Sequence, residues 1–449
     1  MIVGVLCVPL CPLWLNRLLL LSVEKLVYGG DGLTRLPADE RGPGKAAFVP
    51  FVLEDEKIEA SLLQEKRGFA RARVDKIIKP SPYRVEPRCP YFQVCGGCHY
   101  QHADYEHQLE IKAAILKENL RRIAKVELDT DLVIHPSPPW DYRNRTRLKL
   151  QFEPEFTVGY YKFNSHDLLP IEQCPISSPL INRATTALWQ SGRAGKIPGE
   201  IQEIELFANA EDQQLLVEVY CVPEISKETA TQVAETTRAA LPQTVGVNVF
   251  RRDSRSQTGE PERVVNVGAT ELIYDTRHFA FRVSAGAFFQ VNRYLTDELV
   301  DIVARNHSGE MALDLYAGVG LFSAALSQSF AQVIAVEASP TSYSDLLYNS
   351  KSNVRAVHAT TDQFLKNRGR KLRPDLVVVD PPRGGLGGVV VRSLGVLGAR
   401  QVTYVSCDPA TLSRDLAGLL SAGYHIRQAH VVDLFPQTYH VESVFQLGL

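Results

Sequence analysis

The chain has 449 residues, of which 45% are hydrophobic and 22% charged, and its formal net charge is −2. This length exceeds that of one ordinary core and predicts two or three domains, and the composition is that of a soluble globular protein. The near-neutral charge excludes the whole-chain basic excess that is typical of nucleic-acid-binding proteins, so any such contact depends on local charge.

The first 21 residues form an apolar stretch that Pro9 and Pro12 interrupt. The stretch has neither the basic start nor the small-residue cleavage site of a signal peptide. We therefore predict that residues 1–21 are an extension without fixed structure or reflect a misassigned start. No other stretch is long and apolar enough to span a bilayer, so no membrane partner is expected.

Residues 22–80 combine short apolar patterns of period two with turn signals, as in the turn at residues 29–32 and the strands at residues 46–52 and 71–78. Several short strands in so short a segment predict a small β-barrel of the OB type, a fold suited to nucleic acid. Two runs of basic residues are either solvated faces or RNA contacts, and the sequence leaves both interpretations open. The first run is Lys66, Arg67, Arg71, Arg73, Lys76, Lys79, Arg84 and Arg88, and the second is Arg143, Arg145, Arg147 and Lys149.

The middle of the chain has a less regular pattern. Residues 81–88 are rich in proline and predict a linker, and residues 106–123 have the apolar spacing of a helix. From about residue 142 to residue 282, strand patterns predict a mixed α+β region. From Met311 onward, strands and helices alternate, which is typical of a doubly wound parallel sheet. The strands predicted there are Ala312–Leu315, Val333–Val336, Val354–Val357, Asp375–Val379 and Gln401–Ser406.

The chain has eight cysteines, too few for a disulfide scaffold, and their short gaps indicate a metal site in a reducing compartment. Cys89, Cys95 and Cys98 lie close together, and Cys174, which proline follows, lies downstream. Iron–sulfur clusters need four thiolates, whereas zinc sites normally come as two short-spaced pairs. We predict an iron–sulfur cluster, with zinc as the alternative.

A glycine turn from Asp314 to Gly320 follows the first strand of the parallel sheet, and Glu337 ends the second strand. An acid at that position can bind ribose hydroxyls, and no basic residue stands in the turn to hold a pyrophosphate. These features fit a nucleoside with a cationic tail, such as S-adenosylmethionine. The alternative is a structural turn with Glu337 as surface charge.

Further polar residues follow the later strands. Asp380 begins Asp-Pro-Pro-Arg, a motif similar to that of adenine amino-methyltransferases, but Arg383 replaces their aromatic residue, so Asp380 is predicted to accept from a base N–H instead. Cys407 ends a strand, where a thiol faces ligand, although free cysteines are more often buried. If residues 441–447 form a strand, His440 and Glu442 share one face. Taken alone, Glu442 is more typical of a solvent-facing residue.

In this order, the motifs resemble the RNA 5-methyluridine (uracil-C5) methyltransferases of the 23S rRNA type, which carry an N-terminal TRAM domain and a [4Fe–4S] cluster. The matching motifs are Cys89-x5-Cys95-Gly-Gly-Cys98, Tyr142–Arg145, Phe288–Asn292, Asp314–Gly320, Asp380–Arg383, Ser406–Leu412 and His440–Glu442. The resemblance implies a TRAM-like barrel at residues 22–80 and a cluster-bearing, RNA-binding central region at residues 81–282. It also implies a class I S-adenosylmethionine methyltransferase (Rossmann-like) α/β domain at residues 283–449.

The resemblance also implies roles for single residues. Cys407 is then the nucleophile and Glu442 the base. The implied cluster ligands are Cys89, Cys95, Cys98 and Cys174, and the implied cofactor and base pockets contain Gln290, Tyr316, Leu321, Glu337, Thr360 and Asp380. Asp362 is an alternative to Thr360. Asp408 stands where the family usually has asparagine, and its negative charge should raise the pKa of the adjacent thiol.

The implied activity is methylation of uridine C5 in structured RNA by a cytoplasmic monomer, through a covalent adduct between cysteine and C6. Analogy favours ribosomal RNA over transfer RNA as the partner. RNA cytosine C5 methylation is an alternative, against which Asp380 and the lack of a second motif cysteine argue. A non-catalytic iron–sulfur RNA-binding protein is the alternative from a different class.

Overall fold

A computed structural model describes residues 18–38, 44–251, 261–369 and 372–449. The described residues divide into two compact units, one within residues 18–87 together with 99–111, and the other within residues 88–98 together with 112–449. Residues 1–17, which belong to the predicted extension, lie outside the described ranges. Within those ranges, no helix has the length and apolar character needed to cross a membrane.

The first unit contains a six-stranded sheet with the order β1-β5-β6-β4-β3-β2. Its strands are β1 (Leu18–Ser22), β2 (Lys25–Leu26), β3 (Asp31–Arg35), β4 (Ala46–Pro50), β5 (Lys57–Glu65) and β6 (Ala70–Lys79). β1 pairs with β5 along its whole length and alternates between exposed and buried residues, as a half-buried strand does. Among the described residues, the sheet therefore includes Leu18 and extends before the predicted boundary at Ser22.

The predicted linker at residues 81–88 is held against this sheet. Arg84 Nε lies 2.5 Å from Oε1 of the fully buried Glu56, and the backbone N–H of Ser81 donates to the same oxygen at 3.2 Å. Burial favours the neutral form of Glu56, but its hydrogen bonds with Arg84 and Leu53 outweigh burial and hold the pKa of Glu56 below its ordinary value. A buried ion pair thus fixes a segment that its prolines alone suggest is a linker.

The central elements include a second sheet and further helices and strands outside it. In chain order they are α1 (Tyr105–Asn119) with a π-helical turn (Leu120–Ala124), β7 (Leu132–His135), β8 (Arg145–Gln151), β9 (Thr157–Tyr161), β10 (Leu168–Pro170), α2 (Pro179–Arg193), β11 (Ile201–Ala208), β12 (Leu215–Cys221), α3 (Lys227–Ala240), β13 (Thr244–Arg251), β14 (Glu262–Gly268), β15 (Glu271–Asp275) and β16 (Ala280–Ser284). The sheet has the order β10-β9-β8-β11-β12-β13-β14, and β15 pairs with β16. Residues of α2 and α3 share an apolar core with the sheet.

The second basic run lies on this sheet and is paired with acids. Arg145 Nη2 donates to Glu218 at 2.9 Å and Arg147 Nε donates to Glu205 at 2.5 Å, while Lys149 is bonded to Glu203. The guanidinium of Arg147 also lies 4.2 Å from the ring centroid of Tyr220. The solvated face and the RNA contact are therefore both wrong for Arg145, because its side chain is only 11% exposed and internal carboxylates neutralise its guanidinium.

The last part of the chain forms the third sheet. Its elements are α4 (Thr296–Ala304), β17 (Gly309–Leu315), α5 (Leu321–Leu326), β18 (Phe330–Glu337), α6 (Pro340–Asn349), β19 (Val354–His358), α7 (Thr361–Arg368), β20 (Leu376–Val379), α8 (Gly387–Leu397), β21 (Gln401–Ser406), α9 (Pro409–Ser421), β22 (His425–Val432) and β23 (Glu442–Gly448). The strand order is β19-β18-β17-β20-β21-β23-β22-β7. β17 to β21 are parallel, so the predicted doubly wound sheet is confirmed.

One edge of this sheet comes from outside the predicted domain. β7 pairs in parallel with the end of β22, from Ala429 to Val432, although residues 81–282 were predicted to form a separate central region. A strand of four residues carries too little sequence signal to reveal which sheet it joins. The predicted division at residue 283 is therefore wrong for β7.

Candidate active site

The ends of three neighbouring strands bring the predicted nucleophile and base together. Asp380 follows β20 and Cys407 follows β21, so both lie at the carboxyl edge of the parallel strands. β23 runs antiparallel to β21, and Ser406 pairs with Ser443, so the first residue of β23, Glu442, lies at the same edge. An antiparallel strand beside a parallel one thus places a carboxyl group next to the thiol.

The burial and the charged neighbours of Cys407 change the pKa of its thiol. Burial, followed by the negative charges of Glu442 and Asp380, raises the pKa of the Cys407 thiol to about 12, and the positive charge of Arg383 opposes this rise. Arg383 Nη2 also lies 3.5 Å from Nε2 of His440. The free protein therefore holds Cys407 as a neutral thiol at neutral pH. Sequence reasoning did not assign a role to Arg383 at the thiol.

The surroundings of three acids at this edge of the sheet raise the pKa values of their carboxyl groups. Burial, followed by repulsion from Asp314, raises the pKa of Asp380 to about 7, and burial followed by repulsion from Asp380 raises the pKa of Glu442 well above its ordinary value. Burial also raises the pKa of Asp314 to about 6, although Ser323 Oγ donates to its Oδ2 at 2.5 Å. Acids that repel one another in a buried site would be stabilised in their ionised forms by a cationic ligand.

Asp408 caps a helix. Its Oδ1 accepts hydrogen bonds from the backbone N–H groups of Ala410 at 3.0 Å and Thr411 at 2.8 Å, at the start of α9. A carboxylate at a helix N-terminus is favoured by both the unpaired N–H groups and the helix dipole. The start of α9, which the Asp-Pro sequence itself indicates, therefore stabilises the negative charge of Asp408 beside the thiol. The charges that do raise the pKa of Cys407 include Glu442 and Asp380.

Glu337 organises the glycine turn. Its Oε2 accepts from the backbone N–H of Gly318 at 2.8 Å, and its Oε1 accepts from those of Ala338 at 2.8 Å and Ser339 at 2.7 Å. Gly320 has a φ of 95°, and a β-carbon there would meet Leu346 at 2.9 Å, which explains why glycine stands at this position. The carboxylate therefore joins the ends of two strands and holds the turn.

The other residues of the predicted cofactor pocket differ in burial. Gln290 and Leu321 are buried, whereas Thr360 is exposed and its side chain forms a capping box with Gln363 at the start of α7. Burial is the largest cause that raises the pKa of Tyr316, and the negative charge of Asp362 adds to it. Asp362, the alternative to Thr360, is thus the one of the two that acts electrostatically on the pocket tyrosine.

The four predicted cluster cysteines are partly buried, and none of the described cysteines forms a disulfide. Burial, followed by the nearby thiols of Cys174 and Cys89, raises the pKa of Cys95 to about 11. Gly96 N–H donates to the carbonyl of Tyr161 at 3.1 Å, which holds the cysteine loop against the end of β9. Over the described ranges, no three His, Cys, Asp or Glu side chains have the arrangement needed to hold a single metal ion.

The doubly wound sheet, its glycine turn and the acidic pocket at its carboxyl edge define an S-adenosylmethionine-dependent methyltransferase fold. The sequence profile of the family described as tRNA (Uracil-5-)-methyltransferase matches residues 104–448. The chain therefore belongs to the tRNA (uracil-5-)-methyltransferase family, and the predicted class of enzyme, an RNA (uracil-C5-)-methyltransferase, is confirmed.

Related proteins match almost the whole chain. A protein from Aquifex aeolicus named "Uncharacterized RNA methyltransferase" is 33% identical over 436 residues, which are 96% of this chain and 98% of that protein. A protein of the same name from Thermotoga maritima is 31% identical over 95% of this chain and 98% of its own length. The crystal structure of Pyrococcus abyssi tRNA (uracil-54, C5)-methyltransferase in complex with S-adenosyl-L-homocysteine has a TM-score of 0.71 at 23% identity, covering 95% of this chain and 100% of that chain. This likeness shows a shared fold.

Proposed function

We propose that the protein methylates C5 of a uridine in structured RNA through a covalent bond between Cys407 and C6 of the base. The observation that carries this proposal is the convergence of a thiol, Glu442 and Asp380 at the adjoining ends of β20, β21 and β23. The reaction uses a nucleophile, a general base and a group that recognises the edge of the uracil ring, and these three residues can supply them.

The chemistry explains why a thiol and a carboxylate are paired. C5 of uracil is too weak a nucleophile to take a methyl group directly. Addition of the Cys407 thiolate to C6 makes C5 an enolate carbon, which is nucleophilic. S-Adenosylmethionine, when bound, supplies the electrophilic methyl group. Glu442 then accepts the remaining C5 proton, the C5–C6 double bond forms again, and the C6–S bond breaks with its electron pair returning to sulfur.

The acidic pocket fits a cationic methyl donor. Asp314, Asp380 and Glu442 all have raised pKa values in the free protein, so a sulfonium among them would stabilise their carboxylates. An ionised Glu442 is the form that can accept the C5 proton. Arg383 lowers the pKa of Cys407 and so favours the thiolate. Binding of the cationic cofactor would thus also favour the ionised form of Glu442, which is the form that acts as the general base.

We propose ribosomal RNA as the partner and transfer RNA as the second candidate. The combination of a TRAM-like barrel with four cysteines favours the first, whereas the name of the Pyrococcus abyssi relative states a transfer RNA activity. Phe288 is 64% exposed two residues before the buried Gln290, which is suited to stacking on an RNA base. The target uridine has to leave its stack to reach a buried thiol, and RNA loops make that inexpensive.

We also propose that Cys89, Cys95, Cys98 and Cys174 hold a [4Fe–4S] cluster. Its support is the proximity of two of these thiols, Cys174 and Cys89, to Cys95, whose pKa they raise. A cluster binds one thiolate at each iron, so its ligands stand further apart than those of a single ion. If anaerobically purified protein absorbs at about 400 nm, the cluster is supported. If this absorbance is missing even after reconstitution with iron and sulfide, the cluster is contradicted.

The function is tested by mapping 5-methyluridine in the RNA of cells with and without the gene. We expect one or a few uridines to lose the methyl group in the deletion strain and to regain it with the wild-type gene but not with Cys407→Ala. Transcripts labelled in uridine or in cytidine separate this activity from cytosine methylation. Binding of S-adenosylmethionine without turnover on total RNA from the deletion strain would instead support a non-catalytic RNA-binding protein.

A further inference from the structure

The loop at residues 433–441, which joins β22 to β23 and ends immediately before Glu442, is held by buried side chains from outside the loop. Tyr142 Oη donates to the carbonyl of Pro436 at 3.0 Å, and Asn292 Nδ2 donates to the carbonyl of Leu434 at 3.1 Å. Both side chains are fully buried. The backbone carbonyls of this loop thus have partners that come from distant parts of the chain.

Lys112 of α1 makes the strongest of these contacts. Its ammonium lies 2.5 Å from Oδ1 of Asp433 and donates to the carbonyl of Phe435 at 2.9 Å. The side chain of Lys112 is 0% exposed and that of Asp433 is 1% exposed. A lysine is almost never fully buried unless it is paired, so this position has a charged residue where a helix core normally has an apolar one.

Hydrogen bonds connect this ammonium to the residues beside the base. The Phe435 carbonyl that accepts from Lys112 also accepts from Thr438 Oγ1 at 2.9 Å. The same hydroxyl oxygen accepts from the backbone N–H of His440 at 3.3 Å. His440 is two residues from Glu442. Gln437, which lies between Phe435 and Thr438, has a φ of 68° and is buried, so the loop holds a conformation that its surroundings must maintain.

Stability alone does not account for such a pair. Desolvation of two charges offsets most of their attraction, and apolar residues of similar volume are often as stabilising as a buried ion pair. An ion pair with a defined geometry does fix a unique position of the chain. We propose that Lys112 is a positioning residue for the reaction: through Asp433 and Phe435 it fixes the 433–441 loop and with it the carboxyl group of Glu442.

This role rests on the proposed function, and it predicts a defect in one step. Addition of Cys407 and methyl transfer precede the removal of the C5 proton, so a displaced Glu442 leaves a methylated RNA joined to the enzyme. In Lys112→Met we expect kcat to fall by about 10- to 100-fold. The KM for RNA should fall with kcat, because the slowed step follows methyl transfer, and kcat/KM should stay close to the wild-type value. The covalent complex should accumulate, as in Glu442→Gln.

The experiment uses total RNA from a strain that lacks the gene, with methyl-labelled S-adenosylmethionine, and detects the labelled protein–RNA complex by denaturing electrophoresis. Lys117→Met, an exposed lysine on the same helix, is the matched control. Because a single substitution leaves Asp433 buried and unpaired, Lys112→Met/Asp433→Leu is the second variant. It removes both charges and still lacks the donor to Phe435.

The outcomes separate the two proposals. Slow turnover with an accumulated complex in the folded single or double variant supports the positioning role. A folded double variant that turns over at the wild-type rate, or slows without accumulating the complex, overturns it. A wild-type enzyme that forms no covalent complex with 5-fluorouridine RNA refutes the proposed function itself, whatever Lys112 does.

Discussion

Replacement of Asp314 by asparagine should stabilise the free protein. Asp314 is 0% exposed, and only one of its oxygens, Oδ2, has a hydrogen-bond partner among the described residues. Burial raises its pKa from 3.8 to about 6. The hydrogen bonds with Ser323 oppose this rise, and the negative charge of Glu337 adds to it. Asparagine keeps an acceptor for Ser323 but cannot ionise.

The size and the pH dependence of the effect follow from this pKa. One pKa unit corresponds to about 1.36 kcal/mol, so a rise of roughly two units destabilises the folded state by about 3 kcal/mol when the carboxyl is ionised. Because the folded pKa is the higher one, the folded state binds more protons than the unfolded state between about pH 4 and pH 6, and stability falls as the pH rises through this window. Above it the penalty is constant.

Urea unfolding at pH values from 4.5 to 8 measures the free energy of unfolding of both proteins. We expect Asp314→Asn to be more stable by about 3 kcal/mol at pH 8, and this difference should shrink to about 1 kcal/mol at pH 4.5. Asp129→Asn, an exposed aspartate, is the control and should show no such trend. An asparagine variant that is less stable at pH 8, or equally stabilised at every pH, would refute the electrostatic reasoning.

Two further predictions concern the surroundings of the thiol. Arg383→Ala should raise the pKa of Cys407, because it removes a positive charge that opposes the rise, and should slow alkylation of Cys407 by iodoacetamide at pH 8. An unchanged alkylation rate, followed by mass spectrometry, would show that Arg383 has no electrostatic role. Asp408→Ala should cost about 1 kcal/mol through loss of the α9 cap, whereas Asp408→Asn keeps the cap and should stay active. Loss of activity in Asp408→Asn with the stability retained would contradict a capping role.

The parallel sheet was predictable because its strands are short, largely apolar runs between helices. Strands such as Gln401–Ser406 are flanked by polar residues at the ends that bind ligand, and this pattern marks both the strand and the site. Asp380 and Cys407 could therefore be predicted as candidate site residues from sequence alone. The resemblance to a family then supplied Glu442, which on its own pattern is an ordinary strand residue.

Features that depend on long-range pairing were not predictable. β7 joins β22 across almost three hundred residues, and β23 inserts between β21 and β22. The basic run on β8 is paired with carboxylates because β11 lies beside it, and no local signal shows that register. His440 was expected to share a strand face with Glu442, but β23 begins at Glu442, so that expectation is wrong and His440 lies in the preceding loop.

Lys112 shows the same limit for the site. Its place on the apolar face of α1 is visible in the sequence, but its partner Asp433 is 321 residues away. A lone lysine on the apolar face of a helix indicates that an acid or a carbonyl pairs with it, but the sequence does not identify that partner.

The central claim, a covalent bond from Cys407 to the base, is tested most directly with RNA that contains 5-fluorouridine. Fluorine at C5 cannot leave as a proton, so the enzyme should remain joined to the methylated RNA. Mass spectrometry of the digested complex should then find the nucleotide on the peptide that contains Cys407, and Cys407→Ala should give no complex. A complex through another residue, or full methylation of uridine by Cys407→Ala, would contradict the account.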